Sequence, residues 1–177
     1  MTSPRNIKRP GRAAKNRDEV PIAEAKDGQD DGLKLENQVC FPLYAASRLI
    51  VQLYKPHLDK LQLTYPQYLV MMVLWGKNAI SVKLIGELLY LDSATLTQIL
   101  GNLEKADLIT RTRTKSDART VINALTAKGQ ALKIRARSIP IAMSCEFADR
   151  VGEVAALRPQ LHALIKLLAA RLDEAAG

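Results

Sequence analysis

Long apolar runs, cysteine, histidine and aromatic residues are all scarce in this sequence, and each shortage removes a class of protein. The longest apolar run is YLVMMVLW, residues 68–75. A helix that crosses a bilayer needs about 20 such residues, so no membrane span is expected. Only Cys40 and Cys145 are present, which is not the dense, stapled pattern of a small secreted domain. No apolar stretch follows the basic N-terminal residues, so a secretory leader is not expected. The expected location is the cytoplasm, where thiols stay reduced. His57 and His162 are isolated, without partners at metal-ligand spacing, and call for neither a metal nor a cofactor. Glu36 and Asp59 make no recognisable acid–base pair, and no internal repeat is visible.

What is present is a chain with an excess of positive charge. Its 177 residues suit one domain and a tail, and 47% hydrophobic residues are enough to build a core. The net charge of +8 points to a polyanionic partner, most simply nucleic acid, with an acidic membrane surface as the other option. Residues 1–32 have no apolar period and read as a disordered tail. Its charge is split: residues 1–17 hold six Lys or Arg and no acid, and residues 18–32 hold six Asp or Glu and one Lys. The basic half can touch phosphates or simply be solvated.

From residue 33 the periodicity is helical. Leu43, Ile50, Leu53 and Leu58 share one row, with Cys40, Tyr44, Ser47, Val51 and Tyr54 beside it. Pro56 is expected to end or kink that helix. Thr64 is placed to cap YPQYLVMMVLWG, with Pro66 in the first turn and Gly76 at the stop. Ser81 caps VKLIGELLY, and Asp92 or Ser93 caps ATLTQILGNLEKAD, whose buried stripe should be Leu96, Ile99, Leu100 and Leu103. Then the texture alternates: Ile109, Arg111 and Arg113 face one way, KSDA turns, and RTVINAL returns, which reads as a β-hairpin. Thr126 caps a long helical stretch interrupted at Pro140, and a final helix covers roughly residues 158–174. The expected fold is mainly α with a small β-hairpin. A winged helix–turn–helix domain spans residues 63–127, between dimerisation helices at 33–62 and 128–177.

In such a domain the second helix enters the major groove, and its N-terminal residues reach base edges. Here these are Ser93, Ala94, Thr95, Thr97 and Gln98. Gln98 can pair with adenine, and Thr can bond an edge or touch a thymine methyl. The hairpin carries Arg111, Arg113, Lys115 and Arg119. A basic wing lies along the backbone and can push an Arg into the minor groove. Gly101 and Asn102 stand where Lys or Arg would hold phosphates.

Four blocks, LENQVCFPLYAASR, LTYPQYLVMMVLW, LIGELLYLDSATLTQILGNLEKADLITR and SDARTVINALTAKG, resemble the organic-hydroperoxide regulators of the MarR family. The resemblance runs from about Leu33 to about Val151. It implies that Cys40 senses peroxide, that Tyr54 and Tyr65 bond its sulfur, and that Tyr44 belongs to the same pocket. It implies that Cys145 resolves the oxidised sensor as an intersubunit disulfide, the two-Cys arrangement. It also matches Arg119 to a wing arginine that enters DNA and Asp117 to its acidic neighbour. Pro42, just after the sensor Cys, departs from the pattern at a place where it can move the helix start.

The residues supply an argument of their own beside the resemblance. Cys40 and Tyr54 are nearly four turns apart and share a face, yet 14 residues rise about 21 Å. In a continuous helix Tyr54 reaches not its own Cys40 but that of an antiparallel partner, which implies a two-fold homodimer. A phenol that donates to sulfur stabilises the thiolate that peroxide attacks. Phe41, Leu43, Met71, Met72 and Trp75 are placed to give an apolar approach for organic hydroperoxides. The expected function is therefore a DNA-binding repressor that reads organic hydroperoxide through Cys40 and Cys145. A MarR-type regulator answering a small aromatic or phenolic ligand is the alternative, and a thiol peroxidase is a third reading that would leave the basic hairpin without a task.

Overall fold

In the computed structural model the described residues are 30–113 and 120–176. Lys115, Asp117 and Arg119, the KSDA turn and most of the expected tail lie outside them. The chain divides into two units, Met1–Leu43 and Tyr44–Gly177. In the first, short 3-10 turns at Asp30–Leu33 and Leu35–Asn37 lead to the start of helix α1, Cys40–Asp59. Asn37 Nδ2 donates to the Asp31 carbonyl at 2.7 Å and Gln38 Nε2 donates to the Gly32 carbonyl.

The second unit holds the rest of α1, then α2 (Tyr65–Lys77), β1 (Ala79–Ser81), α3 (Val82–Leu89), α4 (Ser93–Lys105), β2 (Ile109–Arg113) and β3 (Val121–Leu125). It closes with α5 (Ala127–Ala136), α6 (Ser138–Glu146), a 3-10 turn (Ala148–Arg150) and α7 (Val151–Ala176). The capping chemistry explains most helix starts. Thr64 and Gln67 form a reciprocal capping box on α2, and Ser81, Asp92 and Thr126 each accept from a backbone N–H in the first turn of α3, α4 and α5. Three helix ends share another device. Leu63, Leu91 and Leu108 N–H groups bond back to the carbonyls of Leu58, Gly86 and Leu103, with Gln62, Tyr90 and Asp107 at positive φ before them.

Several boundaries differ from expectation. Pro56 does not end α1, which runs on to Asp59. A proline so near a C-terminus removes one backbone bond, while Leu58 beyond it is buried in the core. Gly76 does not stop α2; Asn78 does, at φ 63°. The break expected at Pro140 falls earlier, at Arg137, and Pro140 sits in the first turn of α6. There its missing N–H costs no helical bond, whereas continuing α5 through it would have lost one to Ala136. The last helix begins at Val151, ahead of the expected start.

The hairpin is part of a three-stranded antiparallel sheet in the order β1-β3-β2. β2 and β3 pair as Ile109 with Leu125 through Arg113 with Val121, and β1 adds to the other edge of β3. Beneath the sheet and around α2–α4 lies one core, including Val70, Met71, Leu74, Ile85, Leu96, Leu100, Leu103 and Ile109. The stripe expected on α4 is the buried one. By contrast α7 buries no side chain of Val151–Ala175, although Val154, Leu157, Leu161, Ile165, Leu168 and Leu172 recur along it at helical spacing. Among the described residues no helix is long and apolar enough to cross a membrane.

Candidate DNA-binding surface and redox site

The exposed face of α4 is built by its cap. Asp92 Oδ1 accepts from the Thr95 N–H at 2.8 Å and Oδ2 from the Thr95 hydroxyl at 2.6 Å. Those bonds, the hydroxyl's first, hold the Asp92 carboxyl below the usual carboxylate range. Thr97 Oγ1 donates to the Ser93 carbonyl at 2.7 Å. Both threonines therefore use their hydroxyl protons inside the helix and offer outward only methyl groups and lone pairs. Ser93, Thr95, Thr97 and Gln98 are exposed, opposite buried Leu96, Ile99 and Leu100. Gln98 shows no side-chain hydrogen bond to another described residue, so its carboxamide can both donate and accept.

The two arginines on β2 differ. Arg113 is exposed. Arg111 shares the buried Ile109 face, and its Nη1 lies 3.7 Å from Glu104 Oε2 on the last turn of α4. Gly101 has open space where a side chain would stand.

Cys40 opens α1 as a free, exposed thiol. Pro42 falls in the first turn, where no helical N–H bond is owed, and the helix still starts at Cys40. Tyr44 is engaged with Arg48, whose Nη1 donates to its hydroxyl at 2.9 Å and whose guanidinium lies 5.5 Å from the ring centre. Tyr54 and Tyr65 are brought together from α1 and α2, with ring centres 4.9 Å apart, edge to face. Tyr68, one turn beyond Tyr65, joins them: it lies 6.1 Å from Tyr54 and 6.1 Å from Trp75. Sequence reading passed over Tyr68 because it sits inside the apolar run; the one-turn spacing from Tyr65 was the available signal. Burial pushes all three phenols above the ordinary tyrosine value, and for Tyr65 and Tyr68 the neighbouring phenols add to it. They stay protonated and can serve only as neutral donors and acceptors at physiological pH.

Two residues expected on an apolar approach to the thiol, Met71 and Trp75, are engaged within the fold. Met71 is wholly buried in the core, and Trp75 Nε1 donates to the Gly129 carbonyl at 2.9 Å. Cys145 is free and exposed near the end of α6. Its neighbour Ser144 lines a cleft of about 560 Å³ together with Tyr54, Phe147, Arg158 and His162. Among the described residues no group of three His, Cys, Asp or Glu could hold a metal.

Two helices joined by a tight turn, a core beneath them and a strand pair leading into a wing define a winged helix–turn–helix protein. Comparison with known proteins narrows the class. The family described as "Transcriptional regulator SarA/Rot" matches residues 52–135. The organic hydroperoxide resistance transcriptional regulator of Bacillus subtilis is 53% identical over 110 residues, 62% of this chain and 75% of that protein. The HTH-type transcriptional regulator TtmR of Methylorubrum extorquens is 38% identical over 146 residues, 78% of this chain and 75% of that protein. The structure of reduced AbfR bound to DNA superimposes with a TM-score of 0.67 at 35% identity, covering 80% of this chain and 99% of that one. AbfR, from Staphylococcus epidermidis, has also been solved with its disulfide formed. This chain belongs to the MarR family of DNA-binding transcriptional regulators, in its organic hydroperoxide branch. The relatives are regulators rather than enzymes.

Proposed function

We propose that this chain is a homodimeric repressor that holds a palindromic operator while reduced and releases it when an organic hydroperoxide oxidises Cys40. The observation that carries the reading is the exposed Cys40 thiol at the head of α1 in a chain of this branch. The cluster of neutral phenols at Tyr54 and Tyr65 supports it. Ser93, Thr95, Thr97 and Gln98 read base edges in the major groove. Arg113, with Lys115, Asp117 and Arg119, belongs to the wing that follows the backbone. Dimerisation is supported by the apolar row of α7 that stays exposed among the described residues, and by exposed Leu49, Ile50, Val51 and Leu53 on α1. A second copy would then bring a Tyr54–Tyr65 pair to Cys40.

The chemistry runs in two steps. The Cys40 thiolate attacks the outer peroxide oxygen: an S–O bond forms, the O–O bond breaks, and the alkoxide leaves and takes a proton from solvent to become the alcohol, giving a sulfenic acid. The Cys145 thiolate of the second copy then attacks that sulfur, forming S–S, breaking S–O and expelling hydroxide, which takes a proton from solvent to become water. The disulfide requires the two Cα atoms within about 7 Å. Meeting that limit moves the helices that carry the winged domains and spoils the spacing of the recognition helices.

A gel shift on DNA from upstream of the chain's own gene, with and without organic hydroperoxide, tests this. The parent should shift the DNA and release it on oxidation, running as a covalent dimer without reductant. Cys40→Ser should bind and ignore peroxide, and Cys145→Ser should respond but overoxidise. Release from Cys40→Ser would instead favour a small-ligand regulator. The cleft beside Tyr54 supports that second reading, since Arg158 and His162 on its mainly apolar lining suit an aromatic acid.

A further inference from the structure

Arg111 is the residue whose surroundings fit worst with the task its sequence position suggests. An arginine that holds phosphate stands free on the surface, but only about a quarter of the Arg111 side chain is exposed, and it leans back toward Glu104 at 3.7 Å. Directly opposite Arg111 on β3 is Asn123, the single wholly buried polar side chain among the described residues. Asn123 Nδ2 donates to the Ile80 carbonyl of β1 at 3.2 Å. That leaves two buried side-chain atoms without a partner among the described residues, Arg111 Nε and Asn123 Oδ1. One is a donor and the other an acceptor, and they belong to directly paired residues, whose Cβ atoms in such a pair stand only about 4.5–5.5 Å apart.

Ile80, Asn123 and Arg111 thus stand opposite one another across the three strands, and the Arg111–Glu104 ion pair joins that row to the last turn of α4. The Arg111–Glu104 ion pair, partly shielded from solvent, ties β2 to α4, while Asn123 on the paired strand is tied to β1. We infer that Arg111 is a positioning residue rather than a phosphate contact: with Glu104 and Asn123 it fixes the angle between the wing and the recognition helix. That angle sets which minor-groove position the wing reaches when α4 is seated in the major groove. The inference rests on the DNA-binding reading above and assigns within it a role that the basic character of the hairpin conceals.

Glu104→Gln separates the two roles by the sign of its effect. If Arg111 holds phosphate, removing a nearby negative charge should tighten DNA binding. If the pair sets the wing angle, the same change should weaken it. Binding by fluorescence anisotropy to DNA from upstream of the gene, at several salt concentrations, reads the difference. Glu104→Gln and Arg111→Gln are each expected to lose roughly three- to tenfold in affinity, with the double variant no weaker than either alone. The salt slope should stay unchanged, whereas a lost phosphate contact lowers it by about one. Tighter binding by Glu104→Gln, or a salt slope lowered by about one in Arg111→Gln, overturns the inference while the DNA-binding reading stands. No binding by the parent overturns both. Urea unfolding of the same four proteins gives a readout independent of DNA: coupling between the two sites is expected, and strict additivity refutes it.

Discussion

Replacing Gly129 with alanine sets two forces of opposite sign against each other. Gly129 lies in the first turn of α5, and helix propensity alone favours alanine by about 1 kcal/mol. A Cβ at this position, however, would lie 2.0 Å from the Leu108 carbonyl oxygen, where ordinary contact begins at 3.4 Å. α5 and the turn between α4 and β2 would have to part by more than an ångström. Three bonds cross that joint: Thr126 N–H to the Leu108 carbonyl at 3.1 Å, Thr126 Oγ1 to the Asp107 carbonyl at 2.7 Å, and Lys128 Nζ to the Ala106 carbonyl at 2.7 Å. At about 0.5–1.5 kcal/mol net for each bond, less the propensity gain, Gly129→Ala should destabilise by about 1–3 kcal/mol. For a chain of this size that corresponds to a fall in Tm of about 2–12 °C. Gly101→Ala is the matched control: nothing stands within 4 Å of its Cβ, so it should gain about 1 kcal/mol. Urea unfolding followed by circular dichroism, at one fixed protein concentration, reads both. Gly129→Ala at or above the parent's stability would refute the close approach of α5 to the turn at Leu108.

Three further outcomes are expected. Tyr90 ends α3 at φ 53° with its side chain 65% exposed, so Tyr90→Gly should raise stability by about 0.5–1 kcal/mol in thermal unfolding; a loss would mean that the ring makes contacts worth more than the relieved backbone. Tyr54, Tyr65 and Tyr68 have raised values in the folded chain, so the stability they contribute is complete below the ordinary tyrosine value near 10 and is lost as pH climbs past it; Tyr65→Phe should flatten that alkaline decline, and an unchanged pH profile would count against the buried cluster. Tyr54→Phe and Tyr65→Phe should slow alkylation of Cys40 while reduced protein still binds DNA, and rates equal to the parent's across pH would sink the role assigned to the phenols.

Much of the winged domain was legible in the chain because its signals are local. Thr64, Ser81, Asp92 and Thr126 cap helices through their own neighbours three residues on, and the buried stripe of α4 follows from the helical period alone. The Cys40 block and the row of apolar residues in the last helix were equally visible, since each is a pattern within one segment. β1 was not, because three residues carry no period and become a strand only by pairing with β3. Nor was the true stop of α2 at Asn78, where backbone geometry decided against the more obvious glycine.

Arg111 marks the boundary between the two kinds of information. Its sequence neighbours gave it the parity of a strand and the charge of a wing residue, and on those grounds it reads as a DNA contact. Tertiary structure placed Glu104 and buried Asn123 around it. The meeting of Tyr54 with Tyr65, and of Gly129 with Leu108, was decided in the same way. Sequence alone determined what each segment would form, since helix caps, strand parity and thiol chemistry depend on residues a turn or two away. Which side chains would face each other, and so which charges remain free for DNA, depended on packing between segments distant along the chain, where desolvation and close contact outweigh local preference.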